Sequence, residues 1–374
     1  MRHDELTTEM TCGDAPQGRL CVVLREALLA WFHEVKREMP WRRTRDPYAI
    51  WVSEIMLQQT RVATVLPYYD AFLRRFPSVR ELAEAPEEEV LRLWAGLGYY
   101  SRARNLHAAA RQILQEHAGQ FPATWQQVRA LPGIGDYTAG AILSLAFGQP
   151  VPCIDGNAER VLCRLFGIEE APKRNPARTR IREVATALVT CDTPGDVNQA
   201  LMEMGSTLCT PRSPGCEACP VSNWCRARAE GRQAQLPQLP SREKTVRVRS
   251  AAVLVRSTEG VLLAQRSTGG VWAGLWEFPQ VEVSQGRSRA ALAAHLQESL
   301  ELRITVGRRA LQIAHGIMNR TITLEVFEAT AEGTDLRVRG YAQARWVRAE
   351  DFGDYAFSAP HRRIADWVKE AGVA

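Results

Sequence analysis

The sequence has no apolar run approaching the roughly 18–20 residues that a membrane-spanning helix requires, so no membrane partner is expected. Residues 1–18 are polar and mixed in charge, without the apolar middle of an export signal. A cytoplasmic location is expected, on the nucleoid if the source is bacterial. Glycine (26) and proline (20) are too scarce among 374 residues for a collagen-like or low-complexity chain, and no internal repeat or coiled coil is present. A large excess of one charge is also missing. The net charge of +5 permits a polyanionic partner without demanding one. The nine cysteines are an odd set in a chain with no visible export signal, so a disulfide framework is not expected.

What is present reads as a globular chain, 45% hydrophobic and 24% charged, long enough for two or three domains. Residues 1–19 form a polar N-terminal extension. Residues 20–230 read as helix after helix: Val52, Ile55, Met56, Val62, Ala63 and Leu66 repeat at helical offsets, and Pro77, Pro86, Gly96, Gly98, Pro122 and Pro132 punctuate the pattern. Residues 231–245, with Pro237 and Pro240, read as a linker. Beyond it, 246–374 read as a smaller α+β domain, with strands over 246–255, 261–265 and 320–329 and helices over 288–300 and 361–371.

Two local patterns carry chemistry. Cys209, Cys216, Cys219 and Cys225 have the spacing C-x6-C-x2-C-x5-C within one 17-residue loop. Zinc sites usually pair two short knuckles across a long insert. A single compact loop suits a cubane [4Fe–4S] cluster better than zinc, and four unrelated thiols at this density come third. The string Leu131-Pro132-Gly133-Ile134-Gly135-Asp136-Tyr137-Thr138-Ala139 places a G-x-G turn between helical segments. The bare amides of Gly133 and Gly135 would let a nucleic-acid phosphate approach without reading sequence. About twenty residues on, Asp155-Gly156-Asn157 precedes a helix. On local grounds Asp155 or Asn157 is simply its N-cap.

Together these patterns resemble the endonuclease III superfamily of helix-hairpin-helix DNA glycosylases. Met39-Pro40-Trp41-Arg42, Ser53-Glu54-Ile55-Met56-Leu57-Gln58-Gln59-Thr60, the run from Gly96 through Tyr99 to Leu106, and Asp155-Gly156-Asn157 resemble its adenine DNA glycosylase (MutY) branch. The resemblance covers residues 20–229, with the hairpin at about 125–145. It extends into 246–368 through Val271-Trp272-Ala273-Gly274-Leu275-Trp276-Glu277-Phe278-Pro279, which is similar to that family's Nudix-like recognition domain. It implies a two-lobed helical catalytic core plus a domain contacting the lesion strand. It further implies a monomer whose partner is duplex DNA with a mispaired adenine.

Breaking the adenine–sugar bond requires an acid for the base and negative charge near a cationic sugar. Glu54 fits the acid, because its helical neighbours Ile50, Trp51 and Leu57 would desolvate it. The resemblance gives Asp155 the cation-stabilising role, and places Tyr137 and Asn157 in the pocket. Strand-cleaving members carry a lysine at the position of Tyr137, so a monofunctional enzyme is expected. Gln58, Gln59 and Tyr99 match wedge residues that fill the gap left by a flipped base. Thr60 belongs to the same DNA-contacting string. Arg42 and Gln199 match positions touching the extruded adenine or its strand.

Two departures stand out. The helix over 289–300 offers only Glu298, then Glu301, where a magnesium-binding Nudix box needs several carboxylates, so nucleotide hydrolysis is not expected. Where the family carries His-x-Phe-Ser-His to read 8-oxoguanine, this chain has His315-Gly316-Ile317-Met318-Asn319. The rival readings are a glycosylase of altered choice, such as thymine from T·G, and a non-catalytic DNA-binding iron–sulfur redox sensor.

Overall fold

The computed structural model describes residues 15–238, 245–267, 269–284 and 286–371. Most of the expected N-terminal extension and residues 239–244 of the expected linker lie outside them. The chain forms two compact units, Met1–Ala83 with Ala108–Ser241, and Glu84–His107 with Arg242–Ala374. The helical segment 84–107 thus belongs with the second unit, a grouping the sequence reading did not anticipate. No helix among the described residues is long and apolar enough to cross a membrane.

The helices run α1 (Ala15–Val35), α2 (Pro47–Leu57), α3 (Val62–Arg75), α4 (Val79–Glu84), α5 (Glu87–Leu93), α6 (Ser101–Glu116), α7 (Trp125–Ala130), α8 (Asp136–Phe147), α9 (Gly156–Phe166), α10 (Ala177–Val189), α11 (Pro194–Thr207) and α12 (Arg226–Ala229). Helix α1 begins at Ala15, inside the stretch read as an extension. Leu24, Leu28 and Phe32 of α1 meet Val161, Leu162 and Leu165 of α9, Ile181 and Leu188 of α10, and Leu201 and Met204 of α11 in one buried cluster. These positions recur at three- and four-residue intervals, so each helix buries one stripe. Helices α2 and α8 differ. Every residue from Tyr48 to Met56 is buried, as is every residue from Thr138 to Ser144. A helix apolar all round belongs in the interior, and this one carries Glu54 there.

A side chain of α11 helps to hold the loop between α8 and α9. Asn198 on α11 is 1% exposed. Its amide donates to Ser144 Oγ and to the Val151 carbonyl, both at 2.9 Å, and its oxygen accepts from Cys153 N at 3.0 Å.

The second unit is built on a sheet of order β3-β2-β1-β6-β5, from β1 (Val246–Ser257), β2 (Gly260–Gln265), β3 (Trp276–Glu277), β4 (Gln280–Glu282), β5 (Ile304–Ile317), β6 (Arg320–Ala331) and β7 (Gln343–Val347). Strands β4 and β7 join β1 and β2 off that path. β1 pairs parallel with β6 over Val246↔Arg320 to Arg256↔Thr330. Ala252 and Leu254 pack towards α14 (Ala359–Glu370), while Ala251, Val253 and Val255 pack towards α13 (Ser288–Leu300). Cover on both faces explains why the middle of β1 is continuously apolar. The long β5 was not legible. Register shifts between Val306 and Leu311 break its alternation, and Arg308, Arg309, Gln312 and His315 interrupt its apolar positions.

Asn198→Ala should strand the Cys153 N–H and the Val151 carbonyl without partners. The expected loss is about 2–4 kcal/mol, read as a lowered thermal midpoint, and an unchanged midpoint would refute the account.

Candidate active site

Helix α2 starts where Asp46 caps it, accepting from Tyr48 N at 3.1 Å, with Pro47 at the first helical position. The cap and the apolar run carry Glu54 to the floor of a cavity of about 340 Å³. Glu54 is 5% exposed, and its Oε2 has no hydrogen-bond partner among the described residues. Burial pushes its pKa up to about 7; a hydrogen bond from Tyr137 opposes the shift, Asp155 adds to it, and Arg42 opposes it weakly. The Tyr137 hydroxyl also lies 3.2 Å from Met202 Sδ. Burial holds that phenol well above its ordinary pKa, with Glu54 contributing.

Asp155 both caps α9 and lines the cavity. Its Oδ1 accepts from Ala158 N at 2.7 Å, and its Oδ2 accepts from Asn157 Nδ2 at 2.8 Å. Burial raises its pKa despite those bonds. Asn157 is oriented in turn by Arg160 Nη2 at 3.0 Å, and Arg160 is fixed by the carbonyls of Gly205 (2.6 Å) and Cys209 (2.9 Å). Helix α11 approaches so closely here that a Cβ on Gly205 would stand 2.6 Å from Asn157 Cβ.

The other wall holds Trp41, Arg42, Thr60, Gln199, Met202 and Glu203. The structure therefore brings Glu54, Tyr137, Asp155, Asn157, Arg42, Thr60 and Gln199 together. Glu203 was missed. Burial alone would raise its pKa, but hydrogen bonds from Arg37 and Arg42 outweigh that and hold the carboxyl below its usual range. Arg42 Nη2 reaches Glu203 Oε2 at 2.7 Å, so Arg42 is held against the wall. The spacing of Gln199, Met202 and Glu203 at i, i+3 and i+4 on α11 was the available signal.

The remaining candidates lie elsewhere. Gln58 does not line the cavity; its Nε2 lies 3.3 Å from Thr138 Oγ1. Gln59 is exposed with φ of 57°. Gly133, with φ of 76°, and Gly135, the N-cap of α8, are exposed on the hairpin, which Arg129 staples through the Ile134 carbonyl at 2.6 Å.

Cys209, Cys216, Cys219 and Cys225 are free thiols lining one small apolar cavity with Arg164 and Leu208. Arg164 Nη1 lies 3.3 Å from Cys209 Sγ. Among the described residues no three potential ligands converge closely enough for a single metal ion. Four thiols spread around a cavity suit a polynuclear cluster better than one zinc. Burial pushes the Cys219 thiol up to about 11, and the other three add to the shift, so a bound cation is needed to keep four thiolates together.

In the second unit, Tyr99, Trp272, His315, Ile317 and Met318 line a cleft of about 470 Å³. Tyr99, Trp272 and Met318 have φ of 49°, 62° and 54°, in the left-handed region that bulky residues avoid. Met318, at the β5–β6 turn, is 84% exposed. The ring of His315 lies 5.6 Å from that of Trp272, and both its nitrogens are buried without partners among the described residues. Helix α13 presents Glu298, while Glu301 beyond it is engaged by Arg337 at 3.4 Å and by Arg339.

Comparison with known proteins accords with this geometry. Residues 52–187 match the HhH-GPD superfamily of base excision DNA repair proteins, residues 209–225 the iron–sulfur binding domain of endonuclease III, and residues 250–367 the NUDIX domain. Fold and site define a helix-hairpin-helix base-excision glycosylase with an iron–sulfur loop and a Nudix-like unit. Adenine DNA glycosylase of Homo sapiens is 38% identical over 91% of this chain and 73% of its own length. The Rattus norvegicus enzyme is 36% identical over 91% and 77%. A thermostable thymine-DNA glycosylase superposes with a TM-score of 0.54 at 31% identity, over 58% of this chain and 100% of its own. The chain belongs to the adenine DNA glycosylase family. Residues 209–225 are an iron–sulfur binding domain, its cofactor a [4Fe–4S] cluster that Cys209, Cys216, Cys219 and Cys225 would hold as thiolates.

Gly205→Ala should push Asn157, and Asp155 with it, out of place. Single-turnover base release is expected to fall about tenfold or more while iron content is retained; an unchanged rate would show that this close approach does not position the site.

Proposed function

We propose that the protein hydrolyses the N-glycosidic bond of adenine mispaired with 8-oxoguanine or guanine. The observation that carries this is a pair of carboxyls, buried Glu54 and half-buried Asp155, facing one cavity with both pKa values raised. Glu54, with a pKa of about 7, retains a proton near neutrality and can deliver it to the adenine ring. Its unpaired Oε2 is free to meet the base, and once ionised the carboxylate can take a proton from the attacking water. Asp155 keeps both oxygens in hydrogen bonds, an arrangement suited to stabilising a cationic sugar rather than to transferring protons. Tyr137 bonds Glu54 and offers no amine, so no Schiff base forms and the enzyme is monofunctional. Arg42 and Gln199 on the wall would contact the extruded base, with Thr60 beside them. Gln58, Gln59 and Tyr99 would fill the vacated stack, and the Gly133 and Gly135 amides would hold a phosphate. The protein would act as a monomer in the cytoplasm, on the nucleoid in a bacterium.

Glu54→Gln preserves shape but cannot donate a proton, and should abolish base release while duplex binding persists. Wild-type-like turnover would exclude Glu54 as the acid. The same burial sets a pH profile. Base release should fall as pH rises through about 7, where Glu54 loses its proton. Because the folded pKa lies above the ordinary carboxylate value, folding stability should decline between that range and about pH 7, then level off. Glu54→Gln should remove that decline, so its advantage in thermal midpoint over the wild type should grow across the same window.

The hairpin tip bears on the opposing base. Ile317 can pack, Met318 offers only a weak thioether acceptor, and Asn319 keeps a donor and an acceptor. Losing one or two polar contacts is worth about 1–3 kcal/mol, or roughly 5–150-fold in preference. Adenine should still be excised, with a weaker preference for A·8-oxoguanine over A·G than the resemblance implies. Placing Phe, Ser and His at 317–319 should raise the ratio of single-turnover rates; an unchanged ratio would mean that another segment reads the opposing base.

A second reading, thymine excision from T·G, is favoured by the likeness to a thymine-DNA glycosylase. The same assay on a T·G duplex decides it.

A further inference from the structure

Tyr99 does not hold its position unaided. It follows Gly98, with φ of 72°, and itself has φ of 49°. A tyrosine in that region is strained and stays there only if its surroundings enforce it. One side chain contacts both the ring and the backbone that leads to it. The guanidinium of Arg102, on the first turn of α6, lies 5.4 Å from the ring of Trp94 and 5.6 Å from the ring of Tyr99. Its Nη2 donates to the carbonyls of Leu97 (3.2 Å) and Gly98 (3.0 Å), the two residues before the tyrosine. The Gly98 carbonyl also lies 3.3 Å from Trp94 Nε1. Trp94 is fully buried and Arg102 is 7% exposed, whereas Tyr99 is 48% exposed. On the far side of the loop, the Tyr100 hydroxyl donates to the Phe357 carbonyl at 2.8 Å.

We infer that Arg102 is a positioning residue for base extrusion: lying over the Trp94 ring and bonded to the loop backbone, it holds Tyr99 ready to enter the base stack. This rests on the reading of Tyr99 as the wedge. The arrangement has a physical logic. An exposed aromatic on a glycine loop would sample many rotamers and backbone states, and each would have to be frozen when DNA binds. A planar cation against one ring removes much of that freedom beforehand. Burial lowers the Arg102 pKa to about 10, so the guanidinium stays charged near neutral pH. A lysine could keep the charge and reach a carbonyl but has no plane to stack.

The test uses the full-length protein and a duplex with one A·G mispair and 2-aminopurine beside it. Single-turnover base release and 2-aminopurine fluorescence are measured for the wild type, Arg102→Ala, Arg102→Lys, Tyr99→Ala and both double variants. Arg102→Ala should slow release about tenfold and blunt the fluorescence rise, Arg102→Lys should fall between it and the wild type, and either change should add less than about twofold once Tyr99 is alanine. Iron content and thermal midpoint report folding; if Arg102→Ala does not fold, Arg102→Lys with its double variant decides. Equal slowing in both Tyr99 backgrounds, or an Arg102→Lys enzyme as fast as the wild type, would overturn the inference while the wedge reading stands. A Tyr99→Ala enzyme with unchanged rate and fluorescence would remove the wedge reading and this inference together.

Discussion

The site depends on one unfavourable arrangement: a carboxyl carried on a helix that is otherwise wholly inside the protein. Along α2 every side chain from Tyr48 to Met56 is buried, so Glu54 has apolar neighbours on all sides except the cavity. Water cannot stabilise its charge there, and that raises its proton affinity to the neutral range. The hydrogen bond from Tyr137 keeps the shift from going further. Desolvation is therefore the chemical device, and the surrounding helices exist in part to maintain it. The arrangement holds a group ready for proton transfer at the expense of stability above the ordinary carboxylate range.

Asp155 shows the complementary strategy. It is half-buried where Glu54 is buried, and a backbone amide and the Asn157 side chain occupy its oxygens. One carboxyl is left with an unpaired oxygen among the described residues and each oxygen of the other accepts a hydrogen bond, the difference on which the proposed division of roles rests. The bonding is not local. Asn157 is oriented by Arg160, Arg160 is held by the backbone of Gly205 and Cys209, and Asn198 fixes the loop leading into Asp155. Cys209 is also the first cysteine of the iron–sulfur loop. A continuous chain of hydrogen bonds thus runs from the cluster loop to the cavity.

The second unit makes a different use of strain. Three bulky residues, Tyr99, Trp272 and Met318, adopt left-handed backbone around one cleft. Such conformations persist where packing over-determines them, and they collect at binding sites. Here the Trp94–Arg102 pair and the β5–β6 turn supply the constraint. The cleft is mostly apolar, and half-buried His315 brings to it two ring nitrogens shielded from solvent.

Much of this was legible in the sequence. The cysteine spacing, the glycine hairpin and the apolar neighbours of Glu54 are local patterns, and family resemblance pointed to Asp155, Tyr137 and Asn157, which the structure brings to one cavity. The boundaries of α13 and the start of β6 were also local, set by regular burial on one repeat. Other features had no local signature. Glu203 looked like any helical glutamate until Arg37 and Arg42 closed on it from residues about 160 positions away. The long β5 hid behind its register shifts, because a bulge destroys the two-residue period that betrays a strand. The membership of segment 84–107 in the second unit is a matter of long-range contacts alone. For Asp155 the sequence offered capping and catalysis as rivals; in the structure its side chain caps α9 and the same carboxyl lines the cavity. Periodicity and spacing report what a residue does with its near neighbours in the chain; which distant groups desolvate, orient or constrain it is decided only when the chain has folded.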